Sequence, residues 1–201
     1  MGNVNSYGLD FYKTRIDSER LIIRPLLPTD CSEWIRARQE NYDYLRQWEP
    51  IWDMDHLTYN GFNRYQKDAY LGFQNGNYYG LGVFERNTSL LIGYIEIGNV
   101  MGWPKNSATI GYWIAQNKQG QGYMTEAVRA AVGWAMKSLN LIKVEAGTMV
   151  TNEKSQSVLE RVGFLKEGYS KAYGEIDGMF KDHLLWGVTI NDLNKQANVA
   201  E

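Results

Sequence analysis

"QNKQGQGYMTEAVRAAVGWA", Gln116 to Ala135, is the stretch whose reading decides the fold. Gly120 and Gly122 stand directly before a run in which Met124, Ala127, Val128, Ala131, Val132 and Ala135 recur at the spacing of one buried helical stripe. Upstream, "ATIGYWIA" is β-branched and aromatic and reads as a strand ending at Ala115. Strand, glycine turn and helix from about Tyr123 together make an anion site. The first amides of a helix have no internal partners, and the macrodipole places roughly +0.5 charge there. Glycine lets the backbone approach an anion closely. The plainer alternative is a flexible turn that precedes a helix.

Two nucleotide motifs fail on these residues. No G-x-x-x-x-G-K-[ST] is present, and G-x-G-x-x-G is incomplete because Thr125 takes its last position.

Working outward, the strands "YYGLGVFER" and "LLIGYIEIGNV" precede the turn, joined by a hairpin at "RNTS". "IKVEAGTMV" reads as a strand, and "NEKSQSVLERVGF" as a short helix capped by Asn152 and ended by Gly163. "EGYSKAYGEIDGMFKDHLLWGV" reads as a hairpin turning at Asp177-Gly178. Earlier in the chain, Leu21–Arg24 predicts a strand. Asp30 and Glu33 suggest a capping box for a helix running through "CSEWIRARQENYDYLRQW". A second helical stretch covers Phe62–Phe73. The strand–helix–strand unit implies one parallel pair inside an otherwise antiparallel sheet. No linker divides the chain, so residues 1–201 are expected to form a single domain with residues 1–12 and 189–201 as frayed tails.

The chain has 201 residues, 44% hydrophobic and 22% charged, with net charge -2 and pI ≈ 5.8. No basic surface advertises direct nucleic-acid binding. One cysteine, Cys31, excludes an internal disulfide framework and fits a reducing compartment. No apolar run nears the ~20 residues of a membrane span, and no secretory signal opens the chain. Gly2 and Ser6 match the myristoylation pattern formally, a pattern short enough to recur by chance. The expectation is a soluble cytoplasmic domain, monomeric or weakly dimeric. His56 and His183 are too isolated in sequence to suggest a metal site.

Gln119-Gly120-Gln121-Gly122-Tyr123-Met124 resembles the Q/R-x-x-G-x-G/A signature of the GNAT superfamily of N-acetyltransferases, with Met124 departing at the last position. "WEP" at Trp48–Pro50, "IGY" at Ile110–Tyr112, N-x-x-S at Asn152–Ser155, "LERVGFLKEGY" and "DG-x-x-x-DH" at Asp177–His183 recur in order. Together they resemble the RimJ/RimL-type ribosomal-protein N-acetyltransferases from Leu21 to Val188. The resemblance implies an α+β (mixed α/β) GNAT fold. That fold is a mostly antiparallel twisted sheet with helices on both faces around a strand–Gly loop–helix unit.

It also implies acetyl-CoA as cosubstrate and a protein N-terminus as acceptor, plausibly that of a ribosomal protein beginning with alanine. Two alternatives stay open: a small amine such as an antibiotic or polyamine, or a non-catalytic acyl-CoA-binding protein. The implied cofactor contacts are Tyr112, Trp113 and Ile114 on the strand, then Gln119, Gly120, Gln121, Gly122, Tyr123, Met124 and Thr125 in the loop. Asn152 and Ser155 complete the set. Backbone N–H groups near Ile114 and Ala115 are the implied donors to the thioester oxygen. Asn152 reads equally as a helix cap. Ser155 is a candidate catalytic donor to the departing thiolate, because Leu159 leaves no tyrosine about a turn further along.

An α-amine has a reference pKa of ~7.7–8.0 against ~10.4 for lysine, so an N-terminal acceptor asks less of a base. Glu49, Glu96, Glu145 and Asp182 are the candidate bases, and Glu49 in "WEP" leads them.

Overall fold

The short β-branched runs become strands and the striped segments become helices. The computed structural model describes residues 4–199, with side chains as far as residue 195. Short strands β1 (Ile16–Asp17) and β2 (Leu21–Arg24) lead into helices α1 (Cys31–Glu40), α2 (Tyr42–Leu45) and α3 (Tyr59–Asn75). Strands β3 (Tyr79–Glu85), β4 (Leu91–Met101) and β5 (Ser107–Ile114) follow, then α4 (Tyr123–Ser138), β6 (Lys143–Met149) and α5 (Glu153–Val162). The chain closes with β7 (Leu165–Ile176), β8 (Met179–Thr189) and α6 (Ile190–Val199).

The sheet has eight strands in the order β1-β2-β3-β4-β5-β6-β8-β7. The β5–β6 pair is parallel, while the other neighbours run antiparallel. A parallel neighbour needs a crossover, and α4 supplies it. Pairing across this junction covers only Ser107–Thr109 against Lys143–Glu145. Both strands continue, to Ile114 and Met149, so they splay apart over their second halves. Unpaired backbone inside a sheet must find other partners. That gap defines the site.

Helix α4 lays the predicted stripe, Met124 through Ala135, into the main core with Ile95 and Ile97. On the opposite face, α1 and α3 pack Trp34 and Phe62 against Phe84, Leu91 and Tyr94.

Several sequence expectations change. The continuous helix through Trp48 breaks at buried Asn41, whose Nδ2 donates to Ala37 O at 2.8 Å and whose Oδ1 accepts Gln116 N–H at 2.7 Å. Its amide thus anchors the segment after β5. The capping box at Asp30 is absent. Asp30 instead accepts Leu27 N–H and both Arg24 guanidinium nitrogens, while Glu33 pairs with Arg36. Helix α3 is longer than Phe62–Phe73, because Thr58 caps it and Gly76 ends it in a left-handed conformation.

In the segments expected to be tails, the described residues make specific contacts. Phe11 is buried against Phe73, and Asn5 donates to Phe73 O and Tyr79 Oη at 2.9 Å each. Residues 190–199 form α6, opened by Asp192 bonding Thr189. Gly2 of the lipidation pattern lies outside the described residues.

Candidate active site

The loop before α4 is shaped by its glycines. Gly120 and Gly122 have φ of 70° and 79°, the left-handed region that side chains resist, and nothing lies within 4 Å of where a Cβ on Gly120 would sit. The first amides of α4 therefore face an open cleft. Neighbouring cations are already engaged from outside. Arg20 pairs with Glu126 at 2.7 Å and donates to Gln121 O, while Lys118 pairs with Glu85 at 2.8 Å. What the loop can offer an anion is therefore its backbone N–H groups and the helix terminus. Lys154 reaches the same loop through Gln119, at 2.8 Å. The cleft, about 1200 Å³, runs from this loop along the β5–β6 gap to α1 and α3.

Strand alternation divides the cleft into two sides. Tyr112 points to the α4–α5 face, where its hydroxyl lies 2.9 Å from Ser155 Oγ. Burial pushes the Tyr112 hydroxyl pKa well above its ordinary value, so it stays protonated. Asn152 caps α5 through Oδ1, accepting Ser155 N–H at 3.1 Å, while its side chain also lines the cleft. Ala115 N–H is spent on Ile92 O at 2.8 Å. By alternation the N–H groups of Ile114 and Tyr112 point the other way, into the gap β6 has left.

On the opposite face the cleft has aromatic walls, and Glu96 opens into it. Glu96 stands across from Gly111, and a Cβ on Gly111 would come within 2.7 Å of Glu96 Oε1. Gly80 makes similar room for Tyr94, whose hydroxyl would lie 1.8 Å from a Cβ there. Tyr78 donates to Glu96 at 3.1 Å. Glu96 is exposed to the cleft yet hemmed in by protein on its other sides, and that desolvation raises its carboxyl above the ordinary value, opposed by the Tyr78 bond and reinforced by the charge of Glu49. Glu96 opens onto the cavity, and no lysine or arginine pairs with it among the described residues.

Glu49 sits differently. Its oxygens accept Arg38 Nη1–H at 2.8 Å, Arg38 Nη2–H, and Trp52 Nε1–H at 2.7 Å. Arg38 is buried, its guanidinium 4.0 Å from the Trp52 ring and 5.1 Å from that of Trp113. Glu49 O also accepts Asp177 N–H at 3.0 Å, tying "WEP" to the β7–β8 turn.

Residues 20–165 match the family model described as the acetyltransferase (GNAT) domain. This chain belongs to the GNAT acetyltransferase family. It is 32% identical over 191 residues to the ribosomal protein uS5-alanine N-acetyltransferase of Escherichia coli K12, covering 92% of this chain and 96% of that one. Mycobacterium smegmatis RimJ, solved with a coenzyme A disulfide, superposes with a TM-score of 0.85 at 28% identity, covering 90% of both chains. The Vibrio fischeri S5-alanine acetyltransferase superposes with a TM-score of 0.83 at 26% identity, covering 90% of this chain and 99% of that one. The protein is an N-acetyltransferase, and its cosubstrate is acetyl-CoA.

The residues of this GNAT cleft fit that molecule: an open glycine cradle with unspent amides for a pyrophosphate, and free strand N–H groups beside Tyr112 and Ser155. Of the residues expected at the cofactor, Tyr112, Trp113, Ile114, Gln119, Gly120, Gly122, Tyr123, Met124, Thr125, Asn152 and Ser155 line the cleft. The Gln121 side chain turns back onto Asn117 O instead. Trp113 faces the Arg38 side rather than the Tyr112 side. Ala115 N–H is taken up by Ile92 O, whereas Ile114 N–H faces the gap. Among the candidate bases, Glu145 pairs with Lys143 and Asp182 is held by Tyr169 and Ala172 N–H, both outside the cavity. Glu49 lines the cavity as a strut for Arg38. The sequence placed it first because "WEP" is a motif; Glu96, by contrast, has no cation partner among the described residues.

His56 provides a measurable signature of the acetyltransferase's Arg38 cluster. Its Nε2 accepts Arg38 Nε–H at 3.1 Å, and burial, then the Arg38 charge, holds its pKa down at about 4. The unfolded chain takes up this proton near pH 6.5 and the native state does so only near 4. Stability contributed by neutral His56 is therefore present above 6.5 and lost as pH falls toward 4. The loss should be about 2–3 kcal/mol after allowing for partial exposure. Urea midpoints at pH 7 and 4.5 should converge in His56→Gln relative to the wild type. An unchanged pH difference would remove His56 as the cause.

Proposed function

We propose that this acetyltransferase modifies the N-terminal α-amine of a protein beginning with alanine, with ribosomal protein uS5 as the first candidate. One observation carries the reading: on the β4 side of the cleft Glu96 opens into the cavity with no cation against it among the described residues. A carboxylate, even one raised by desolvation, is far closer to an α-ammonium of ~7.7–8.0 than to a lysine ammonium of ~10.4. The uS5-alanine N-acetyltransferase of Escherichia coli, similar over nearly the whole chain, supports the same acceptor.

Bound acetyl-CoA supplies the acetyl group as an activated thioester. The chain's own residues do the rest. The α4 amides hold the anionic end, and the Ile114 N–H faces the gap where a carbonyl oxygen would be polarised. Glu96 accepts a proton from the acceptor ammonium, directly or through water. Tyr112 and Ser155 form a neutral hydroxyl pair on the opposite side of β5, suited to return a proton to a leaving thiolate. Asn152 keeps the α5 terminus, and with it Ser155, in place. Such an acceptor is met in the cytoplasm, where this reading places the enzyme.

The test is release of free coenzyme A with peptides beginning Ala, Ser or Met, an N-blocked peptide bearing an internal lysine, and spermidine. Acetyl mass should appear on the N-terminal fragment of the Ala peptide and not on the blocked peptide. Turnover of spermidine with none of any peptide would reverse the assignment. Coenzyme A binding without turnover of any acceptor would favour a binding module.

A further inference from the structure

Three large exposed apolar side chains lie on the two segments that border the cleft at Ile51. Ile51 is 67% exposed, Met54 fully exposed and Met179 58% exposed. A single exposed apolar residue needs no explanation, but a group at the rim of a site does. These come from two segments that the fold holds together. Asp177 N–H bonds Glu49 O, Arg46 pairs with Asp177 at 3.0 Å, and Ile51 Cδ1 lies 3.1 Å from where a Cβ on Gly178 would stand. Ile51 lines the cleft, whereas Met54 and Met179 lie outside it, so the patch is continuous with the acceptor side and extends past it.

Strand alternation sharpens the placement. Met179 shares its face of β8 with His183, which lines the cleft, and pairs with Ile176, which does too. Phe180, 69% exposed on the same strand, points to the other face. The pairs Arg46–Asp177 and Arg64–Asp55 flank the apolar residues, giving an apolar centre with a polar rim. Methionine is unbranched and adapts to uneven partner surfaces.

We propose that Ile51, Met54 and Met179 dock an apolar patch on the folded body of the acceptor protein, beyond the residues that enter the cleft. The inference rests on the acceptor being a protein N-terminus: Ile51 and Glu96 line one cleft, so a chain whose first residue reaches Glu96 has room to leave past Ile51, and a small amine does not extend to the patch. The enzyme then distinguishes a whole protein from its own N-terminal peptide.

The experiment compares full-length uS5 carrying a free N-terminal alanine with a tetrapeptide of its first four residues, using Met54→Asp/Met179→Asp and, as control, Phe180→Asp. The double variant should lose roughly tenfold or more in kcat/KM for the protein, mostly through KM, and nothing for the tetrapeptide. Phe180→Asp should change neither. Equal losses on protein and tetrapeptide, no loss on either, or an equal effect of Phe180→Asp overturns the proposal. So does sedimentation showing that the double variant dissolves a wild-type dimer, which would make a second copy the occupant. A wild type that favours the protein no more than the tetrapeptide overturns this docking surface and leaves the acceptor assignment standing. A wild type inactive on both takes both readings down.

Discussion

Gly122→Asp is expected to abolish coenzyme A binding, raising Kd by at least about a hundredfold in calorimetric titration. Two effects act together. Gly122 sits at φ 79° as the N-cap of α4, and a side chain in that region costs roughly 1–2 kcal/mol. The carboxylate then stands at the helix terminus where the pyrophosphate's charge belongs. Two unit charges 4 Å apart interact by about 4 kcal/mol at the effective dielectric of a protein surface. Arg20 tempers this, because its Nη2 lies 3.4 Å from the new Cβ and could pair with the acid.

Gly122→Ala separates the contributions, since it carries the strain without the charge and should weaken binding by only about five- to thirtyfold. Equal losses in the two variants would make strain the whole effect. Wild-type affinity in Gly122→Asp would remove the loop from the cofactor site altogether.

That loop was legible because its signals are local. The glycines, the strand before them and the α4 stripe lie within thirty-odd residues of chain and need no distant partner to be read. The antiparallel order and single parallel pair follow from the same punctuation. Asn41 was not legible as a helix break, because its amide is drawn off by Gln116, seventy-five residues away. Asn5 and Phe11 looked like tail residues for the same reason: their partners, Phe73 and Tyr79, are remote.

The different surroundings of Glu49 and Glu96 were hidden from the sequence for a related reason. Nothing local says that Arg38 will engage Glu49, whereas glycines at 80 and 111 inside strands did carry a hint. A glycine in a strand marks a place where something approaches closely. Here it is Tyr94 over Gly80 and Glu96 over Gly111. Tyr112 was assigned to the cofactor from the motif alone, and its hydroxyl contact with Ser155 joins two elements that are forty-three residues apart. Only the sheet's face assignment reveals that.

Glu96→Gln should lower kcat by roughly 10²- to 10⁴-fold on an Ala peptide while leaving coenzyme A affinity within about twofold, the pattern of a lost general base. The substitution keeps size and can still accept the Tyr78 hydroxyl bond. Its effect on folding has the opposite sign from its effect on rate. Desolvation raises the Glu96 carboxyl, so the native state holds that proton more tightly than the unfolded chain does. Stability associated with this group is greatest when it is protonated and falls as pH rises through the shifted value. At neutral pH the ionised acid is a cost to the fold, so Glu96→Gln should be neutral or stabilising in urea unfolding. Activity behaves in reverse: the base must be ionised, and wild-type kcat should fall on acidification above the ordinary glutamate range, a limb absent from the variant's residual rate.

Gly111→Ala tests the same chemistry by geometry, since the added methyl displaces the Glu96 carboxylate without removing it. It should lower kcat and spare coenzyme A binding, whereas Glu49→Gln should chiefly lower stability through Arg38. A Glu96→Gln enzyme retaining near wild-type kcat would reassign the proton to bulk water. A Glu49→Gln enzyme that keeps its stability but loses its acid limb would return the role to the strut. A destabilised and inactive Glu96→Gln enzyme would show the carboxylate holding the fold, contrary to the sign that its desolvation dictates.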